Sequence, residues 1–67
     1  MAEGLANRLR ELRAERGLTQ AALAEAVGVS RKTINTVENG VFTPSVTLAL
    51  KLARALEQPV EAVFTIA

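Results

Sequence analysis

Residues 19–38 hold two short helical patterns separated by only three residues, Gly28-Val29-Ser30, and that spacing limits the chain more than any other feature in it. Thr19 opens the first pattern, because its hydroxyl can accept from the free N–H groups of the next turn. Leu23, Ala24 and Val27 then form an apolar stripe at helical spacing. Gly28 supplies the left-handed backbone that stops a helix. Val29 places an apolar side chain inside the turn, and Ser30 starts the next helix at once. A connection this short holds the two helices at a large angle. Ala24, four residues before Gly28, is small enough for them to cross closely.

The rest of the chain divides by the same punctuation. A first helix runs over residues 5–16, with Leu5, Leu9 and Leu12 on one stripe and Gly17 at its end. The helix from Ser30 to Glu38 ends at Asn39-Gly40 and is followed by the loop Val41-Phe42-Thr43-Pro44. A fourth helix, capped by Ser45 or Thr43, turns Leu48, Leu52, Ala55 and Leu56 inward. A short fifth has Pro59 at its first position, where a missing N–H costs nothing. The expected fold class is all-α, a compact five-helix bundle forming a single domain over residues 1–67.

Composition narrows the function. A chain of 67 residues buries only about 60% of its unfolded surface, so its stability is modest unless something adds to it. Without cysteine or histidine there is no disulfide and no thiolate or imidazole metal site, and no cofactor is expected. Self-association is the remaining support. With no histidine, cysteine or tyrosine, and no Gly-x-x-x-x-Gly-Lys phosphate loop, the chain is not expected to be an enzyme. No apolar run approaches the roughly 20 residues of a membrane span, and no signal peptide opens the chain, so a cytoplasmic location is expected.

The formal net charge is only +1, but it is unevenly spread. Residues 7–36 carry six cations against three anions, whereas residues 37–67 carry two against three. On the helix that begins at Ser30, Ile34, Val37 and Glu38 share one face. At 100° per residue, Lys32 and Thr36 fall about 160° from Ile34, on the opposite face, with Thr33 and Asn35 beside them. Arg31 sits in the first turn, where a long side chain can swing outward. Arg31, Lys32, Thr33, Asn35 and Thr36 therefore project together, with no carboxylate among them. That set suits base edges: arginine and lysine donate to guanine, asparagine can pair with adenine, and threonine offers a hydroxyl and a methyl. Singly, each would be an ordinary solvated residue. As a set on the second helix of a helix-turn-helix over residues 19–38, they are the candidate readers of double-stranded DNA.

Thr19-Gln20-Ala21-Ala22-Leu23-Ala24, Gly28-Val29-Ser30, Ile34, Glu38-Asn39-Gly40, Pro44-Ser45 and Leu48 together resemble the lambdoid phage repressor and Cro proteins and the bacterial Xre regulators, the Cro/C1-type helix-turn-helix family. The resemblance implies a lambda-repressor-like domain that binds a near-palindromic operator as a homodimer and regulates transcription, as a repressor. It places base readout on Arg31, Lys32, Thr33, Asn35 and Thr36. It puts Gln20 on a phosphate and against the reader's side chains, and Arg10, Asn39 and Thr43 on the DNA backbone. It also pairs Arg13 with Glu38, since an inward carboxylate is costly unless paired. Phe64, Ile66 and Val63 are expected at the dimer interface, because the tail is more apolar than a fraying terminus normally is. A protein-interaction role stays open beside this reading, as an antitoxin with a toxin partner or as the controller of a restriction–modification operon.

Overall fold

The computed structural model describes residues 4–67. Its elements are β1 (Leu5–Asn7), α1 (Leu9–Glu15), α2 (Gln20–Val27), α3 (Arg31–Glu38), α4 (Val46–Ala55), α5 (Val60–Val63) and β2 (Phe64–Ile66). The five helices stand in the expected order, but the all-α expectation needs correcting: β1 and β2 form an antiparallel pair, with Leu5 opposite Ile66 and Asn7 opposite Phe64. Leu5 lies in register with the stripe of α1 without being helical. The helix starts later because the Asn7 side chain accepts the Leu9 N–H at 3.0 Å, and the Arg8 N–H is drawn to the Val63 carbonyl at 2.9 Å.

The helix starts follow local chemistry. Thr19, Ser30 and Ser45 each accept an N–H three residues on, from Ala22, Thr33 and Leu48. Removing such a cap costs about 1 kcal/mol. Gly28 has φ +77°, and the Val29 N–H returns to the Ala24 carbonyl at 3.0 Å, which closes the end of α2. The same bonding pattern ends α4, where the left-handed residue is Glu57 with φ +54°. The Glu57 N–H bonds the Arg54 carbonyl and the Gln58 N–H the Ala53 carbonyl, each at 3.0 Å, while the exposed Glu57 carboxylate pairs with Arg16 and joins the end of α1 to the end of α4.

The core consists of Leu9 and Leu12 from α1, Leu23, Ala24 and Val27 from α2, Ile34 and Val37 from α3, Leu52 and Ala53 from α4, and Leu56, Val63 and Phe64. Val29 packs against it from inside the turn. α2 lies against both α3 and α4, so α3 is fixed on one side and left open on the other. Val63 and Phe64 are buried within this chain, while Ile66 is 66% exposed. Two of the three residues expected at a dimer interface therefore have their apolar surface covered already. They follow α5 into the core because β2 must pair with β1.

Candidate nucleic-acid interface

Ile34 and Val37 anchor α3 in the core, and that anchoring decides what its other face presents. Arg31, Lys32 and Asn35 are exposed, and Thr33 and Thr36 are half-buried at the edges. Gln20, Arg31, Lys32 and Asn35 line one open cleft of about 290 Å3 between the start of α2 and the outer face of α3. The threonine hydroxyls are already engaged. Thr33 Oγ1 lies 3.0 Å from Ser30 Oγ, and Thr36 Oγ1 donates to the Thr33 carbonyl at 2.9 Å. Thr36 keeps its methyl group and spare lone pairs for a ligand, and Thr33 keeps its methyl group and the part of its hydroxyl that Ser30 does not use.

Glu38 ends α3 on its inner side, with its side chain wholly shielded (0% exposed). Arg13 Nε donates to Oε2 at 2.6 Å, and Arg13 Nη2 and Arg10 Nε each approach Oε1 at 3.3 Å. Gln20 Nε2 donates to the same Oε1 at 3.0 Å. Burial pushes the Glu38 carboxyl upward, but the hydrogen bonds from Arg13, Gln20 and Arg10 outweigh it and hold the group below the usual glutamate range. Arg13 also donates to the Leu18 carbonyl at 2.7 Å, so it ties α1 both to α3 and to the loop before α2. The only acidic side chain on α3 is thereby turned away from the outer face and neutralised.

Arg10, expected on the DNA backbone, is 59% exposed and spans Glu38 and Asn39, with Nη2 donating to Asn39 Oδ1 at 2.7 Å. Asn39 stands at the end of α3 and donates from Nδ2 to the Asn35 carbonyl at 2.9 Å and to Asn35 Oδ1 at 3.2 Å. Gln20 Nε2 reaches the same Oδ1 at 3.2 Å. Thr43 is exposed in the loop after α3, whose Val41 and Phe42 N–H groups both bond the Thr36 carbonyl. Sequence reasoning missed Asn7. Its Nδ2 donates to the Val37 carbonyl at 3.0 Å, which fastens β1 to the end of α3. The only hint was an asparagine two residues before the first buried leucine.

A helix-turn-helix family model matches residues 9–63, which takes in every helix and the whole of this site. The chain belongs to the Cro/C1-type helix-turn-helix family. It is 45% identical over 58 residues to an uncharacterized HTH-type transcriptional regulator, YgzD, of Bacillus subtilis strain 168, covering 87% of this chain and 88% of that protein. Its fold is similar to that of the restriction–modification controller protein C.AhdI from Aeromonas hydrophila (TM-score 0.79, 42% identity, 82% of this chain and 83% of that one). It is also similar to the P22 c2 repressor protein in complex with a synthetic operator (TM-score 0.78, 33% identity, 81% and 82%). The protein is a DNA-binding transcriptional regulator and not an enzyme. Among the described residues, no helix is long and apolar enough to cross a membrane.

Proposed function

We propose that two copies of this chain occupy a near-palindromic operator in the cytoplasm and repress transcription by excluding polymerase. α3 of each copy lies in one of two successive major grooves, with half-site centres about 34 Å apart. The observation that carries this reading is the outer face of α3, where Arg31, Lys32 and Asn35 stand exposed while the one carboxylate of the helix is shut inside. Arg31 and Lys32 donate to guanine O6 and N7, Asn35 meets a base edge, and the methyls of Thr33 and Thr36 face thymine. Arg10, Asn39 and Thr43 flank this face on the phosphate side. Both amide hydrogens of Gln20 are spent within the chain, so Gln20 braces the reader and its own main-chain N–H serves the phosphate.

The dimer forms about the exposed Ile66 and its cross-strand neighbour Leu5, over a floor made by Val63 and Phe64. In vitro selection of bound DNA tests the whole reading. Two symmetric half-sites are expected. A pool without a motif, or with a single asymmetric site, would overturn it.

The likeness to C.AhdI over most of both chains favours a more particular role, control of a restriction–modification operon. Mapping occupancy in the native host checks it: binding should centre on the promoter of the chain's own operon, with an endonuclease gene alongside. Sites elsewhere only would remove that role and leave operator binding intact.

A further inference from the structure

Five polar side chains at the base of α3 close into a ring. Glu38 accepts from Gln20, Gln20 donates onward to Asn35 Oδ1, and Asn39 donates to that same oxygen. Arg10 donates to Asn39 Oδ1 and returns to Glu38. The charges at the two ends set the orientation of every amide between them. The Glu38 carboxylate admits only the NH2 side of Gln20, and the Arg10 guanidinium admits only the oxygen of Asn39. Both neighbours therefore present N–H groups to Asn35, and Asn35 must answer both with its oxygen.

We propose that this ring fixes Asn35 as a hydrogen-bond donor and makes it a reader of guanine. The inference rests on α3 lying in the major groove. Both lone-pair directions of Asn35 Oδ1 are filled from within the chain, and its Nδ2 has no partner among the described residues. A bidentate pair with adenine needs the oxygen to accept from N6 while the nitrogen donates to N7, and the ring closes that route. An NH2 group alone matches a base that offers two adjacent acceptors, and guanine does so with O6 and N7. Gln20 and Asn39 are positioning residues here: they act on the base only through Asn35.

The test is in vitro selection with the wild-type protein, Asn35→Asp and Gln20→Met, each first checked for a cooperative melt. The position that Asn35→Asp alters is the one Asn35 faces. The expected result is a G·C pair there for the wild type. Binding should weaken about tenfold when that guanine lacks its N7 acceptor. Gln20→Met, which releases one lone pair of Asn35, should lower the guanine-over-adenine preference at that position about tenfold and leave the other positions unchanged. An A·T pair at that position in the wild type overturns the proposal, as does a motif in which Asn35→Asp changes nothing. A wild-type pool with no motif would take down the operator reading itself, and this inference with it.

Discussion

Glu38 shows how far one side chain can govern a binding face. Its carboxylate receives two guanidinium groups and an amide, and its side chain has no contact with solvent. Removing it leaves Arg13, only 15% exposed, without a counter-charge, a loss of about 3 kcal/mol by the usual cost of breaking a buried pair. Glu38→Ala is therefore expected to lower the melting temperature by at least about 12 °C in a domain of this size, measured by circular dichroism. A change under about 3 °C would show that the pair contributes little. The pH dependence follows from the direction of the shift. The Glu38 carboxyl titrates lower in the folded chain than in the unfolded one. Its contribution is complete above the ordinary glutamate value of about 4.3 and is lost as pH falls through the lower, folded value. Stability should drop as pH falls below about 4.3, and Glu38→Gln should flatten that acid limb of the profile. An identical acid limb in both proteins would assign the acid sensitivity to other carboxylates, such as Glu11 beside Arg8.

At the scale of elements, the turn between α2 and α3 sets the angle at which the reader is presented. Gly28 carries the left-handed backbone, and a Cβ built there meets nothing within 4 Å. The cost of Gly28→Ala is then purely a matter of φ, about 1–2 kcal/mol, with no clash to add. Chemical denaturation should show that loss, and Gly28→Asn should recover more than half of it, because asparagine tolerates this conformation better. Equal losses for both would point to steric crowding instead. Glu57 does at the end of α4 what glycine does elsewhere, with the Gln58 N–H closing the helix on the Ala53 carbonyl. That substitution is why glycine spacing marks the end of α2 in the sequence and leaves the end of α4 unmarked.

For the whole molecule, the net charge of +1 makes non-specific affinity modest, and operator binding must draw on the cations gathered near α3. Two protomers bring two copies each of Arg10, Arg31 and Lys32. Of these, the two Arg10 side chains neutralise phosphates while Arg31 and Lys32 read bases, so the slope of log K against log salt is about −2. Arg31→Ala separates two roles. A base contact relaxes sequence preference and leaves the slope unchanged, whereas a phosphate contact lowers its magnitude by about 2, one for each protomer. The base contact is the expected outcome. Ile66→Asp places a charge on an exposed side chain and should leave the helical circular dichroism spectrum of the folded chain unchanged. It should shift the protein to monomer in analytical ultracentrifugation and weaken operator binding at least about tenfold. An intact dimer would move the interface to another exposed apolar group, Val41 and Phe42 of the loop after α3 or Val46 and Leu50 of α4.

The sequence alone determined the parts whose causes are local. Thr19, Ser30 and Ser45 cap helices because a hydroxyl reaches only the next turn, and Gly28 ends one because of its own φ. The stripe Ile34–Val37 fixed which face of α3 turns outward, since burial of apolar side chains dominates the packing of a small domain. The strands were not legible: three residues carry no period, and Leu5 fell by chance on a helical stripe. Asn7 was hidden because its partner, the Val37 carbonyl, is thirty residues away. Burial of Val63 and Phe64 likewise depends on how α5 feeds the strand pair. What only the tertiary structure decided is the polarity of the reader. An asparagine amide has no preferred sense of its own, and at Asn35 that sense is imposed by charges from α1 and the end of α3, which chain folding brings together.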